Sequence, residues 1–535
     1  MYIATVPNRK SPPAILLRES YREDGKVRTR TIANLTHWEP TRIEAMRLAL
    51  KGEFDGLSGA PECGPIFGVT FALKQLIDQV GITRALGKSN ESKLTLFMII
   101  SRIAHGGSRL SAVRWSRQHC LEDIIGLKDF DENDLYNNLD WLAEQQDKIE
   151  QKLYKDYVKR TGKPPVIVLY DVTSSYFEGQ FNDLACYGYN RDKKNGKKQV
   201  VIGLLTAEDG EPLAIRAFEG NTSDTKTVPE QIELLKENFG VNEVIFVGDR
   251  GMVKSKQKKQ LNDEIWSYIT ALTKAQIRTL IKKDVIQGDL FDKELSEVEC
   301  DNHRYIMRCN ETRRDEERSN RQSKIERLKK MVNDRNEFVG QSKRSDPEAG
   351  LKKLQRWIKS RKLSSFITLN LEDKTIIITL DNEAMNRIAL LDGCYTLETN
   401  VKTSIMDKET VNARYGDLQK VERNFRTIKT GLLEVRPIFL RNGQRTKAHI
   451  FIAMLALKVT RHFEKLLFPV FEKIEKSDCP MTIDDALLSL SRLTYQIYHT
   501  NTQSVSRLPK PDQEQMSILK ALGIKFPKNK KIVTM

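Results

Sequence analysis

The stretch Val166-Ile-Val-Leu-Tyr-Asp171 decides the fold, because it is an unbroken apolar run that closes on a carboxylate. Pro164 and Pro165 stand directly before it and end the preceding segment. A continuous apolar run without polar alternation predicts a strand that is buried on both faces. A carboxylate at the end of such a strand is expected at the sheet edge where open α/β sheets bind ligands.

A second run, Val244-Ile-Phe-Val-Gly-Asp249, has the same form and also closes on an aspartate. If the two strands are parallel neighbours, Asp171 and Asp249 emerge side by side. Two unpaired carboxylates in one place repel each other, so this arrangement calls for a cation between them. The pair therefore predicts a metal-dependent site.

The composition indicates a large, basic, multidomain protein. With 535 residues the chain is too long for one core, and 88 Lys and Arg against 72 Asp and Glu give a net charge of +16. That excess favours a polyanionic partner such as nucleic acid, although a generic basic protein has the same composition. The seven cysteines include no Cys-x-x-Cys pair, which indicates reduced thiols in a cytosolic protein rather than a zinc site. No signal peptide or membrane span is expected.

The order of predicted elements after Val166 indicates a mixed sheet. Residues 172–179 read as a second strand or as the end of the first, and residues 199–206 and 213–219 read as a hairpin. A helix, the Asp249 strand, another helix and a strand at 266–272 follow. Antiparallel neighbours followed by parallel ones are typical of a ribonuclease-H-like (RNase H-like) sheet. The predicted fold is multidomain α+β, with an RNase H-like catalytic core that carries a large insertion before its last catalytic helix.

The flanking regions are expected to be a small β-rich N-terminal module and helical segments. Arg28 and Arg30 share one face of a predicted N-terminal hairpin, which either contacts DNA or is only solvated. Residues 447–468 and 483–498 have the periodicity of amphipathic helices. The expected division is a β-rich module at 1–60, a helical DNA-binding or dimerisation region at 61–160, the catalytic core at 161–275 and 391–440, the insertion at 276–390, and a helical region with a basic tail at 441–535.

A predicted helix at 411–432 supplies a third carboxylate. Its apolar stripe is formed by Leu418, Val421, Phe425, Ile428 and Leu432. Glu422 lies about 40° from Leu418 on the shoulder of this stripe. Tyr415, Glu422 and Lys429 are spaced seven apart, so they are expected in one row along a single helix.

Three carboxylates from two strands and one helix can hold a pair of divalent ions about 3.5–4 Å apart. Mg²⁺ suits such a site because it prefers oxygen ligands and accepts one or two carboxylates together with waters and a phosphate. Two Mg²⁺ ions per site, with Mn²⁺ able to substitute, would support in-line displacement at a phosphodiester.

At these residues the sequence resembles DDE transposases of bacterial insertion sequences, in the group with the signature Tyr-x2-Arg-x3-Glu-x6-Lys. The signature positions fall on Tyr415, Leu418, Glu422 and Lys429, so Leu418 stands where the group has Arg. Arg423 or Arg426 is the alternative source of the phosphate contact expected there. The segments around both aspartates and residues 421–437 also resemble this family.

The resemblance implies a catalytic and metal-binding triad of Asp171, Asp249 and Glu422. It also implies that the protein binds double-stranded DNA at terminal inverted repeats, nicks the ends of the element and joins them to target DNA. A homodimer that pairs two ends is expected, in the bacterial cytoplasm and associated with the nucleoid. The expected DNA-binding residues are Tyr415, Arg423, Arg426, Lys429, Arg250 and Trp357. Trp266 and Trp357 are conceivable wedges for a displaced base, although Trp266 is expected to pack in the core.

Three alternatives remain open from the sequence. A haloacid-dehalogenase-like phosphatase also begins with a strand that ends in Asp, but it expects Asp where Thr173 and Val253 stand. A non-catalytic DNA-binding relic of a transposase would keep the same residues. A metal-dependent nuclease that cleaves without joining would share the whole triad.

Overall fold

The computed structural model describes residues 1–8, 12–23, 25–51, 62–192, 194–263, 266–287, 291, 294–342, 345–430, 433–474, 481–499, 504–527 and 533–534. Leu432 of the predicted stripe, residues 52–60 of the predicted N-terminal module and residues 528–531 of the basic tail lie outside these ranges. The chain forms two compact units. The first comprises residues 1–77, 108–130 and 462–535, and the second comprises residues 78–107 and 131–461.

The N-terminal residues form a three-stranded antiparallel sheet and a helix, so the predicted hairpin is confirmed. The elements are β1 (Tyr2–Val6), β2 (Ala14–Glu23), β3 (Lys26–Asn34) and α1 (Pro40–Lys51). Arg28 and Arg30 on β3 form ion pairs with Glu23 at 2.9 Å and Glu19 at 2.7 Å. Both of these arginines therefore already have acidic partners on β2.

The next region is mainly helical. It contains β4 (Glu62–Ile66), α2 (Gly68–Gln79), α3 (Ile82–Leu86), α4 (Asn90–Ala104), α5 (Arg109–Ser116), α6 (Leu121–Ile125) and α7 (Glu132–Thr161). The side chain of Asp131 caps α7 in a capping box with Asp134, and Gly162 ends the helix in a left-handed conformation.

The central elements have the order predicted from the sequence. They are β5 (Ile167–Tyr176), β6 (Gln199–Ala207), β7 (Pro212–Glu219), α8 (Asp224–Glu233), β8 (Ile245–Gly248), α9 (Ser255–Asp263) and β9 (Ser267–Ala271). Strands β5, β6 and β7 are antiparallel neighbours, and β8 lies parallel to both β5 and β9. This is the RNase H-like arrangement. Of the two interpretations of residues 172–179, the end of the first strand is confirmed, because β5 continues past Asp171 to Tyr176. Asp171 thus lies within the strand rather than at its end.

Residues 274–399 add three strands to the same sheet. The elements are α10 (Lys274–Lys282), β10 (Ser296–Cys300), β11 (His303–Cys309), α11 (Glu311–Gln341), α12 (Pro347–Ser360), β12 (Ile367–Glu372), β13 (Thr375–Leu380), α13 (Asn382–Ala389) and β14 (Cys394–Thr399). The eight-stranded order is β10-β11-β14-β9-β8-β5-β6-β7. Strands β10 and β11 thus lie within the predicted insertion range yet extend the central sheet. Elements α11 to α13 share a separate apolar core around Leu328 and Leu354.

The remaining elements are α14 (Lys408–Gly416), α15 (Leu418–Lys429), α16 (Gly443–Ile474), α17 (Ile483–Ser491), β15 (Thr494–His499), β16 (Ser504–Arg507), α18 (Gln513–Ala521) and β17 (Val533–Thr534). The predicted helix at 483–498 is wrong after Ser491. Residues 494–499 form β15 instead, because they pair with β4 and β16. This pairing outweighs the local helical periodicity.

Candidate active site

Strand register brings the two predicted aspartates together. Strands β5 and β8 are parallel, and Tyr170 pairs with Gly248. Asp171 and Asp249 are the next residues on the two chains, so they occupy adjacent positions. Asp171 is half-buried within β5, whereas Asp249 follows the end of β8 and is exposed.

The pKa of Asp171 reflects both its burial and the other two carboxylates. Burial, followed by the negative charges of Asp249 and Glu422, raises this pKa to about 7. The backbone N–H of Val172, which donates to Asp171 Oδ1 at 2.7 Å, and the Arg191 guanidinium oppose this rise in pKa. A carboxyl group whose pKa is raised this far is typical of functional sites.

The predicted single helix at 411–432 is two helices. Helix α14 ends at Gly416 and α15 begins at Leu418, with Asp417 in the junction. The continuous row of Tyr415, Glu422 and Lys429 is therefore wrong, since Tyr415 lies on the first helix. Tyr415 nevertheless contacts the site, because its hydroxyl donates to Asp249 Oδ1 at 3.0 Å. Burial, followed by the charge of Asp249, raises the pKa of Tyr415.

Helix α15 places Glu422 by burying the predicted apolar stripe. The stripe residues Leu418, Val421, Phe425 and Ile428 are all buried. Asn424 is also buried, and its side-chain amide donates to the Gly210 carbonyl at 2.8 Å. Arg461 Nε donates to Asn424 Oδ1 at 2.7 Å. Glu422 and its neighbours Arg423 and Arg426 are left exposed.

Lys429 is held inside the protein by polar partners. Its ammonium lies 2.6 Å from Asp192 Oδ1 and donates to Thr173 Oγ1 at 3.0 Å. Burial lowers the pKa of Lys429, although the hydrogen bond and charge of Asp192 favour the protonated form. Arg436 is the second cation on Asp192, at 2.9 Å. Lys429 therefore links α15 to β5 and to the segment after β5.

Sequence reasoning missed Arg191, Asp192 and Arg436. The Arg191 guanidinium forms an ion pair with Asp224 at 2.6 Å, and its backbone N–H donates to Ser174 Oγ at 3.1 Å. The available signals were the polar, basic run after Tyr189 and the Val435-Arg-Pro segment. Neither stretch of sequence predicts which residue pairs with which, because Asp192 and its partners Lys429 and Arg436 are far apart in the chain.

The other predicted DNA-binding residues are spread over the second unit. Arg250 is exposed beside Asp249, and its charge opposes the rise in the pKa of Tyr415. Trp357 packs against the core of α11 to α13, with the Arg361 guanidinium 5.9 Å from its ring centroid. Trp266 is buried and donates its indole N–H to the Asn242 carbonyl at 2.9 Å. Trp266 is therefore a core residue, and its conceivable role as a wedge is wrong.

The donor chemistry of the triad suits a hard divalent cation. Each side chain offers carboxylate oxygens, and a cation would relieve the repulsion that raises the pKa of Asp171. Within the ranges given above, no group of three or more His, Cys, Asp or Glu side chains is arranged closely enough to hold a metal ion. Mg²⁺ usually takes only one or two carboxylates and completes its shell with water and substrate phosphates. The three carboxylates thus fit as donors without forming a closed cage.

Residues 162–458 match the family model described as the Transposase DDE domain. The chain belongs to the DDE transposase family. Residues 3–61 match the model for the N-terminal domain of IS1634 family transposases. The protein is thus a DNA transposase of an insertion sequence, a DNA-cutting and strand-transfer enzyme of a family that uses divalent metal ions. The phosphatase alternative is wrong.

Among solved structures, the piggyBac transposase synaptic complex with hairpin DNA is similar at 9% sequence identity and a TM-score of 0.31. That similarity covers 76% of this chain and 80% of the other chain. No curated protein matches the transposase with significant sequence similarity. In the part of the transposase that the structure describes, no helix is both long and apolar enough to cross a membrane.

Proposed function

We propose that Asp171, Asp249 and Glu422 are the catalytic and metal-binding residues of this transposase. The observation that carries the proposal is that the charges of Asp249 and Glu422 both act on the half-buried Asp171 and add to the effect of burial in raising its pKa. The adjacent register of the two aspartates and the packing of α15 over β5 support the same grouping. The proposed reaction is hydrolytic nicking at the element's ends, followed by transesterification into target DNA.

Two Mg²⁺ ions, or Mn²⁺ in their place, are the proposed cofactors. When bound, they would activate the attacking oxygen and stabilise the leaving oxygen. Asp171 and Asp249 would hold them from the sheet, and Glu422 would hold them from α15. Tyr415 would keep the Asp249 carboxylate oriented through its hydroxyl, and Lys429 would position Thr173 and Asp192 beside the site.

The proposed phosphate contacts lie on the exposed side of α15. Leu418 stands at the Arg position of the Tyr-Arg-Glu-Lys signature, and its side chain is buried, so it offers no phosphate contact. Arg423 and Arg426 are exposed within one turn of Glu422 and are proposed to supply it. Arg250 beside Asp249 and Trp357 on α12 are proposed as further DNA contacts. The assignment to the Tyr-Arg-Glu-Lys group rests on Tyr415, Glu422 and Lys429.

The proposed partners are double-stranded DNA at the terminal inverted repeats, target DNA and a second copy of the chain in a complex that pairs two ends. We also propose that the ranges 1–60, 61–160, 161–275, 276–390, 391–440 and 441–535 act as functional regions. The location proposed is the bacterial cytoplasm, with association to the nucleoid.

The decisive experiment uses purified protein, a supercoiled plasmid that carries both ends of the element, and Mg²⁺ or Mn²⁺. Nicks are mapped at the end junctions, and joined products are sequenced. Asp249→Asn keeps the side-chain size and removes one ligand charge, so it should abolish nicking and joining while end binding remains. Glu237→Gln, at an exposed acid after α8, is the matched control and should behave as the parent protein.

Each outcome separates the remaining alternatives. Nicks without joined products would identify a nuclease. End binding without any cleavage by the parent protein would identify a non-catalytic relic. Undiminished cleavage by Asp249→Asn would refute the assigned triad.

A further inference from the structure

Three aromatic side chains stand exposed on the segment that follows β5. The exposed fractions are 67% for Phe181, 66% for Tyr187 and 84% for Tyr189. A fourth ring, Phe439, is 67% exposed on the stretch after Arg436. We call these four residues the aromatic patch. Exposing several large rings is costly in water, so such a group is typical of an interaction surface.

The backbone beneath the aromatic patch is tied to the sheet. Cys186 and Gln199 exchange two backbone hydrogen bonds, at 3.1 and 2.9 Å. The Gln199 side chain donates to the Tyr189 carbonyl at 3.1 Å. Asn182, next to Phe181, donates to the Leu440 carbonyl, next to Phe439, at 2.6 Å. The rings therefore project from an ordered support, which lowers the entropy lost when a ligand stacks on them.

Cations accompany these rings. The Lys198 ammonium lies 5.9 Å from the centroid of the Tyr187 ring, and Lys194 and Arg441 are exposed nearby in sequence. Two acids of the same segment are paired, since Lys197 binds Glu178 at 3.0 Å and Asp192 binds two cations from other elements, whereas Asp183 is exposed. Aromatic rings among available cations are the combination that binds unpaired bases together with their phosphates. An apolar protein interface would instead be depleted in lysine.

The segment that bears the aromatic patch forms hydrogen bonds with β5, which carries Asp171, and with α15, which carries Glu422. The backbone of Arg191 donates to Ser174 on β5, and Asp192 holds Lys429 on α15. Lys429 lies seven residues after Glu422, which is about 10 Å along a helix. That distance equals roughly three phosphate spacings along one DNA strand. Asp192 of this segment therefore contacts α15 within about three phosphate spacings of Glu422.

We infer that the aromatic patch is a stacking platform for unpaired bases of the DNA strand next to the phosphate that is cleaved. The inference rests on the proposed function, since it places that phosphate at the three carboxylates. Tyr187 and Tyr189 carry most of the stacking, because they are next to Lys198 and the backbone contacts of Gln199. Loss of stacking on one base weakens binding by roughly 5- to 100-fold.

The test measures binding by full-length protein in the Asp249→Asn background, so that DNA stays uncut. The probe is a duplex with the element's terminal repeat and a four-nucleotide unpaired flank in which one base is 2-aminopurine. The double variant Tyr187→Ala/Tyr189→Ala should lose the change in 2-aminopurine fluorescence and bind this probe roughly 5- to 100-fold more weakly. The same variant should bind a fully paired duplex within about twofold of the parent.

Two matched variants sharpen the result. Tyr187→Phe/Tyr189→Phe keeps both rings and should restore binding of the unpaired flank. Phe338→Ala removes a ring that is 51% exposed on α11 and should leave binding unchanged. Equal loss of affinity for paired and unpaired probes, or no loss at all, would overturn the inference.

A shift from dimer to monomer in sedimentation, with the preference for unpaired DNA intact, would also overturn the inference by making the patch an interface between copies. The stacking inference is judged by binding of the probes and not by cleavage. Failure of Asp249→Asn to block nicking would refute the triad alone.

Discussion

Asp171 gives the site a pH dependence whose sign follows from its environment. Its pKa is raised from the ordinary 3.8 to about 7, first by burial and then by Asp249 and Glu422. The folded protein therefore holds this proton more tightly than the unfolded chain. The resulting stabilisation is complete below about pH 4 and is lost as the pH rises through 7.

Asp171→Asn should consequently melt at a higher temperature than the parent at pH 8 in the presence of a chelator. The difference should be smaller at pH 5, where Asp171 is neutral in the folded protein, and it should vanish only below about pH 4, where the unfolded chain is protonated as well. Thermal denaturation followed by circular dichroism at both pH values checks this expectation. Glu237→Gln serves as the control. If the parent protein melts at a higher temperature than Asp171→Asn at pH 8, the electrostatic account is contradicted.

Tyr415 tests whether orientation of Asp249 matters for catalysis. Tyr415→Phe removes one hydrogen bond to a carboxylate, a contact at 3.0 Å, while the ring keeps its packing. Hydrogen bonds to charged groups contribute about 1.5–3 kcal/mol, so nicking should slow by roughly ten- to a hundredfold. Tyr395→Phe, which removes the 2.6 Å hydrogen bond to Asn412, is the matched control. An unchanged rate of nicking in Tyr415→Phe would show that the hydroxyl has no part in the reaction.

Residue identities were easier to predict from the sequence than residue partners. The two apolar runs with terminal aspartates and the helical spacing of Glu422 are local patterns, and periodicity detects them. Lys429 was predicted as a DNA contact, yet its ammonium faces Asp192 and Thr173. Asp192 lies in a polar loop without periodicity, so no local pattern could assign it as the partner of Lys429.

At the scale of elements, the break at Asp417 shows the limit of periodicity. The seven-residue spacing of Tyr415, Glu422 and Lys429 crosses the junction, so the sequence predicts one helix where α14 and α15 are separate. Arg414 and Lys420 both bind the Asp417 carboxylate at 2.9 Å, one from each helix. The break lets Tyr415 reach Asp249 while Glu422 stays on the helix that packs over β5.

Asn424 anchors α15 and provides a test of that packing. It is buried, donates to the Gly210 carbonyl at 2.8 Å and accepts from Arg461 at 2.7 Å. Asn424→Ala removes the hydrogen bonds to the Gly210 carbonyl and from Arg461 Nε, so the free energy of unfolding should fall by about 1–3 kcal/mol. Urea denaturation measures this change. Gln419→Ala on the exposed face of the same helix should change the free energy by less than about 0.5 kcal/mol, and an equal effect would contradict the anchoring role.

At the scale of the whole molecule, the order of β5 to β9 was predictable and the extension of the sheet was not. The stretch Tyr305-Ile-Met-Arg308 is strand-like in sequence and lies in β11, but its pairing with β14 was not predicted. Arg304 is buried, because its guanidinium binds Glu297 and donates to the Val401 and Met406 carbonyls at 2.7 and 2.9 Å. The partners of this buried arginine lie far along the chain, so hydrophobic patterns do not predict that the strand joins the central sheet.

The junction between β11 and β14 shows where residues 311–392 join the sheet. Cys309 pairs directly with Cys394, and the N–H of Asn310 donates to the Gly393 carbonyl at 2.9 Å. Deletion of residues 311–392 would therefore join Asn310 to Gly393. The product is an Asn-Gly pair, which favours the tight turn of a two-residue β-hairpin, and Gly393 already has a positive φ of 68°.

The shortened transposase should fold, because α11 to α13 have their own core around Leu328 and Leu354. Its melting temperature should fall, since the deletion also removes Leu391 from the cluster that contains Ile277 and Met307, a loss of about 2–5 kcal/mol. Near-ultraviolet circular dichroism and a cooperative thermal transition report the folded state. A deletion of equal length moved to residues 303–384 removes β11 and should not fold. If both deletions unfold the chain alike, residues 311–392 are part of the central core rather than an insertion into it.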